Sequence, residues 1–178
     1  MANRDILRKQ LELVRFEKAL DYIHLNARGA KHLNTQELAT INGILTGKSD
    51  SHPWRSEVVD LPLPSGRREI FAVVVNPLIV ARDLLSNCTQ RARDGEIEEA
   101  ATHLYRELVL HHFFQDANRR TAVAALYWLL LDRGIDIPAM GLLELGIGDI
   151  RNTDHLESLR TVIKATIAIS QSRKGSPK

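Results

Sequence analysis

The sequence predicts a mainly α-helical bundle carrying one β-hairpin. Three observations lead there. Apolar side chains recur at helical spacing through most of the chain. Only residues 57–63 and 68–75 read as strands. Residues 119–133 form a helix that is apolar almost all round, as a buried central helix requires. With 178 residues, 44% of them hydrophobic and 26% charged, the chain is long enough to bury such a core.

Leu7, Leu11, Val14, Leu20 and Ile23 repeat near helical period and predict a first helix over residues 3–25, stopped at Arg28-Gly29. Asn34 with Glu37 is a capping-box pattern that opens a second helix, and Gly47 ends it. A polar linker over 48–51 leads to Pro53-Trp54. The strands at 57–63 and 68–75 flank a Pro64-Ser65-Gly66 turn, and Val73-Val74-Val75 is β-branched. Pro62 cannot donate to a ladder, so its strand is an edge. Such a hairpin either covers the core or offers its free edge to an extended peptide. Asn76-Pro77 reads as a side-chain cap followed by proline at the first helical position, with the helix running to Gly95. The next helix places Ile97, Ala101, Leu104 and Leu108 on one face and ends near His111-His112. Gly134 closes the apolar helix. A connector over 135–138, a short helix over 139–145 and a last helix over 154–170 complete the domain.

Composition narrows the function. Aromatics are only 5% of residues, too few for an oligonucleotide-stacking platform. The formal charge is +2 and the pI 8.8, with no long basic stripe, so nucleic acid is not an expected partner. Cys88 is the sole cysteine and reads as a small core filler. The opening Arg4, Asp5, Arg8 and Lys9 are unlike a secretory leader, and residues 122–131 are too short to span a bilayer. A cytoplasmic protein without a membrane partner is expected. His24, His32, His52, His103, His111 and His155 show no metal-ligand spacing, so no protein-only zinc site is expected. Walker, dinucleotide-binding and nucleophile-elbow motifs do not occur.

The chemistry concentrates in His112 to Ala122, H-F-F-Q-D-A-N-R-R-T-A. Asn118 is placed to cap the apolar helix, whose first N–H groups and positive dipole end suit an anion. Arg119 and Arg120 leave that same first turn and can reach phosphate oxygens. Asp116 is a hard oxygen ligand suited to magnesium. His112 can take a proton from a hydroxyl near neutral pH. His111, about a hundred degrees round the helix, reads as a packing or capping residue. Phe113 and Phe114 should anchor the loop, one of them buried. The set suits phosphoryl transfer; it equally suits an ordinary helix start with a solvated arginine pair.

His112, Phe114, Asp116, Ala117, Asn118 and Arg120 resemble the Fic/Doc (Fido) motif H-x-F-x-(D/E)-(G/A)-N-x-R. The resemblance implies a Fido-type helical bundle with the hairpin as its flap, over residues 34–170. Residues 1–33 would then be an N-terminal helical extension and 171–178 a disordered basic tail. It implies ATP and Mg²⁺ as cofactors, His112 as base, Asp116 as metal ligand, and Ala117, Asn118, Arg119 and Arg120 around the phosphates. A target protein would lie extended along the hairpin at 57–75.

Two departures bear on the subclass. AMP-transferring members usually carry Gly after the Asn, where this chain has Arg119, and a second Arg three residues after the first, where it has Val123. Both departures are similar to the Doc branch, which has Lys, then Arg-Thr-Ala as in Arg120-Thr121-Ala122, and acts as a protein kinase toxin. The resemblance therefore implies a Doc-like kinase first, an AMP transferase second, and a degenerate, non-catalytic binding module third. Thr153 to Ser158 only approaches the family's inhibitory motif (S/T)-x-x-x-E-(G/N), and Val123 offers its glutamate no partner. Glu157 reads instead as a first-turn residue of the last helix, and restraint would come from an outside antitoxin.

Overall fold

The computed structural model describes residues 2–27, 31–48, 54–62, 68–136 and 151–175. Their elements are α1 (Ala2–Ala27), α2 (Thr35–Thr46), β1 (Val59–Pro62), β2 (Arg68–Phe71), α3 (Pro77–Arg93), α4 (Ile97–His111), α5 (Asn118–Asp132) and α6 (Thr153–Gly175). The mainly helical class with a single hairpin is as predicted. The stop at Arg28-Gly29, the turn at Pro64-Ser65-Gly66 and the short helix over 139–145 lie outside the described residues.

At the centre stands α5, in which every side chain from Thr121 to Leu131 is buried. It packs against α4, α1 and α2, while α3 and α6 close on α4. Burying a large apolar side chain contributes about 1.5–3 kcal/mol, so the uniform apolarity of this segment suffices to make it the hub. The second half of α1 joins the same core through Phe16, Ala19, Ile23 and Ala27, whereas Leu7, Leu11 and Val14 remain exposed. Cys88 fills the core as expected, and burial pushes its thiol up to about 12. No helix among the described residues is long and apolar enough to cross a membrane.

Local signals explain the helix ends, with three corrections. The Asn34 side chain accepts from Gln36 N (2.9 Å) and Glu37 N (3.0 Å), and Gly47 closes α2 at φ 70°, where a side chain would strain. Glu37, however, turns inward: its buried carboxylate accepts from the Tyr22 hydroxyl and pairs with Lys31 (3.3 Å). Burial and that carboxylate raise the Tyr22 hydroxyl to about 12. Asn76 makes no side-chain cap. It adopts φ 54°, a conformation asparagine tolerates, and its backbone carbonyl receives Ile79 N (3.0 Å) and Val80 N (3.2 Å). The last helix runs on to Gly175, past the predicted end at Ser170 and into the segment read as a tail.

The hairpin is antiparallel, pairing Val59 with Phe71, Asp60 with Ile70, Leu61 with Glu69 and Pro62 with Arg68. Val59 and Phe71 face the core, and among the described residues neither outer edge pairs with another strand. Both strands are shorter than predicted, and β-branching at 73–75 does not produce a ladder. Where the ladder ends, Arg55 donates to the carbonyls of Glu57, Phe71 and Ala72.

Candidate active site

The motif loop, residues 112–117, links α4 to α5 and begins and ends on a left-handed residue: His112 at φ 48° and Ala117 at φ 60°. Such a conformation disfavours bulky side chains, and Ala117, buried with 7% of its surface exposed, satisfies that limit. Between these two, Phe113 and Phe114 are both fully buried, where the sequence predicted one. Trp54 stacks on Phe114 with centroids 5.0 Å apart and meets Phe113 edge-on, and a bridge pairs Trp54 with Phe114. The loop is thus pinned to the chain entering the hairpin.

His112 caps α4, and its Nδ1 lies 2.9 Å from the Val109 carbonyl. A carbonyl only accepts, so Nδ1 carries the proton and Nε2 holds the lone pair. The ring stacks on Phe71 of β2, with centroids 3.8 Å apart. Burial lowers its pKa, the Val109 carbonyl opposes that shift, and the Arg55 charge adds to it. The balance of these influences favours the neutral imidazole. His111 turns elsewhere, toward Glu107 (3.8 Å) and Phe113, in line with a packing role.

Asn118 corrects the sequence reading. It does not cap α5; the N-cap is Ala117, without a side-chain cap bond. Its amide instead closes the loop on itself, accepting from Phe114 N (2.9 Å) and donating to Phe114 O (2.7 Å). Asn42 of α2, buried in an otherwise apolar stretch, braces the same unit by donating to Asp116 O (2.9 Å) and Thr121 Oγ1 (3.0 Å).

Asp116 is exposed, its Oδ1 accepting from Ala117 N at 2.5 Å and facing Arg120 Nη2 at 3.7 Å. Arg120 is largely buried, and its Nη1 lies 3.6 Å from Glu12 of α1 without forming a hydrogen bond. A buried cationic donor beside an exposed carboxylate at a helix N-terminus is what a metal-bound phosphate would complete. Arg119 is exposed and interacts with the buried Tyr105 hydroxyl of α4. Val123 lies in the core at 1% exposure.

Sequence reasoning missed Arg55. Though 4% exposed, it donates from Nε to His112 O (2.7 Å), from Nη1 to Glu57 O (2.6 Å) and Phe71 O (2.8 Å), and from Nη2 to Ala72 O (2.8 Å) and His111 O (3.3 Å). Its own N–H donates to Phe113 O at 2.8 Å. Nothing in the local sequence marks it, because its partners are backbone groups from distant segments.

The family model described as Fic/DOC family matches residues 32–130. Among solved structures, a Fic domain containing signaling protein from Bacteroides thetaiotaomicron aligns with a TM-score of 0.64 at 18% identity, covering 96% of this chain and 75% of that one. A fragment of Fic-1 from C. elegans aligns at 0.54 and 16% identity, over 93% of this chain and 50% of its own. A single-residue variant of that fragment gives 0.60 and 18%, over 95% and 52%. The chain thus spans about half the length of the worm fragment. No curated protein matches the sequence.

Proposed function

From the premise that this chain belongs to the Fic/DOC family, whose members transfer a nucleotide or phosphate group to proteins, we propose that it is a Doc-like protein kinase. The terminal phosphate of ATP passes to a hydroxyl of a target protein held along the hairpin. The target oxygen forms a bond to the terminal phosphorus, the bond to the bridging oxygen breaks, and ADP leaves. The hydroxyl proton goes to His112 Nε2. The observation that carries the reading is the 2.9 Å contact of His112 Nδ1 with the Val109 carbonyl, which only accepts, so that a neutral ring presents its lone pair at Nε2.

The nucleotide phosphates would lie at the first turn of α5, a reading supported by Arg120 Nη1, a buried donor lacking a hydrogen bond. Asp116 would hold Mg²⁺, which neutralises charge on phosphate oxygens when bound. Kinase is favoured over AMP transfer by the two departures from the AMP-transferring pattern. Val123 gives the core an apolar side chain where those members place a phosphate-binding Arg, and Arg119 stands where they keep a bare glycine. With no such cation for the terminal phosphate, the reversed nucleotide pose, which presents that phosphate to His112, is the one these residues suit.

Incubation of the protein and a cell lysate with ATP labelled at the α- or the γ-phosphate tests this. Label from the γ position alone on a protein is expected, whereas label from the α position refutes the kinase. Mg²⁺-ATP should also raise the melting temperature by mass action. No label and no rise together would leave the protein-binding module as the reading.

A further inference from the structure

Arg55 is a buried cation that, among the described residues, pairs with no carboxylate. All five of its side-chain bonds go to backbone carbonyls, in three segments: the entry to the hairpin (Glu57), its exit (Phe71, Ala72), and the end of α4 (His111, His112). Desolvating a guanidinium is costly, and no ion pair offsets it here. The last carbonyls of a helix lack intrahelical partners, and a cation suits that dipole end. The arrangement thus places the charge at the terminus of α4, directly under the residue that turns left-handed. On the other side of that residue, the imidazole rests on Phe71, whose carbonyl Arg55 also holds.

We propose that Arg55 is a positioning residue for the transfer reaction: its planar fork locks the left-handed turn of His112 and the root of the hairpin into one unit. The base and a hydroxyl presented along the flap are thereby kept in register. This rests on His112 being the base. A lysine could not substitute, because three donors on one point cannot reach carbonyls spread around a plane. Among the described residues, the other charged or titratable groups near the imidazole are Arg151, over the Phe71 ring at 5.6 Å and paired with Glu69 of β2, and His111 with Glu107 on α4. Arg151 and Glu69 reach His112 only through Phe71, so Arg55 is the cation in direct hydrogen bond with its backbone.

The test compares full-length wild type, Arg55→Lys, Arg55→Gln and His112→Ala. Label transfer from ATP to lysate protein is read alongside NMR titration of the His112 imidazole, assigned by its loss in His112→Ala. Arg55→Lys should fold and lose about 10–100-fold in kcat, as displacing a reacting group by an ångström does. Its KM for ATP should stay within about twofold, since Asp116 and Arg120 do not touch Arg55. In Arg55→Gln the charge and the tight burial are both lost, and each loss should move the His112 titration upward. Should that variant not fold, the Lys variant carries the test through its kcat and KM. Wild-type kcat in folded Arg55→Lys, or an unmoved His112 titration in folded Arg55→Gln, would overturn the proposal. Full activity in His112→Ala would instead refute the base assignment, and because the titration needs no activity, the two failures are told apart.

Discussion

Replacing Asn118 with alanine should destabilise the whole domain in the absence of any nucleotide. Its side chain is 5% exposed, and both ends are engaged by Phe114, the N–H at 2.9 Å and the carbonyl at 2.7 Å. Alanine leaves both backbone groups without these partners, each worth about 1–3 kcal/mol when buried and unsatisfied. Water entering from the nearby surface holds the sum to the lower half of that range, roughly 2–4 kcal/mol. A domain of this size shifts by about 2–4 °C per kcal/mol, so the melting temperature should fall by about 5–15 °C. Asn118→Asp is a sharper probe. It keeps the acceptor for Phe114 N but turns a carboxylate oxygen toward Phe114 O, which raises the folded-state pKa of the new acid. A raised pKa means that the deficit is present at neutral pH, shrinks as the pH falls through that raised value, and stops changing below the unfolded acid's pKa of ~4. Thermal melts of both variants between pH 4 and 7, followed by circular dichroism, would show this. An alanine variant melting within 2 °C of wild type would refute loop closure as the work of this residue.

Four further outcomes follow from the same geometry. Burial first, and the Arg55 charge with it, lower the His112 pKa against the pull of the Val109 carbonyl; kcat/KM should therefore fall with acidity at a midpoint below the ordinary imidazole value of about 6.5, and a pH–rate profile with a higher midpoint contradicts it. In the transfer assay His112→Ala should lose about 10²–10⁴-fold while His111→Ala stays near wild type. Val123→Arg should not add a phosphate contact but should cost about 3–5 kcal/mol in urea unfolding, as an uncompensated buried charge does. Glu12 sits 3.6 Å from Arg120, half-exposed; such a pair is worth about 0.2–1 kcal/mol, so Glu12→Gln should tighten ATP by up to about fivefold in calorimetry, and weaker binding would count against Arg120 as a phosphate ligand.

Elements governed by local chemistry were legible in the sequence. Asn34 and Gly47 bracket α2 because capping needs only neighbours, and the apolar run of α5 announces a buried helix by itself. The motif residues could be found because spacing around a helix start is also local. What escaped depended on distant partners. Asn118 looked like a cap until Phe114 proved to hold both ends of its amide, and Glu37 looked like half of a capping box until Tyr22 and Lys31 claimed it. Strand length at 72–75 could not be read from β-branching, since the chain there leaves the ladder beside Arg55, which holds the carbonyls of Phe71 and Ala72. Arg55 and Asn42 carry no pattern at all: one binds carbonyls from three segments, the other joins α2 to the loop.

A last consequence concerns how this chain can change over time. In α5, burial is complete from Thr121 to Leu131, so nearly any substitution there is a packing change that selection on stability resists. The first turn differs at one position, for Arg119 is exposed while Asn118 and Arg120 on either side of it are largely buried. One helix thus joins a stretch that the fold forbids to drift to a single position that drifts more cheaply. That position, the side chain after Asn118, is where this protein departs from the AMP-transferring pattern. A lineage could exchange it at the cost of its contact with Tyr105, and so explore nucleotide handling at little risk. Val123 lies on the other side of that divide: acquiring or discarding a cation there demands a rebuilt core, which makes the step slow in either direction.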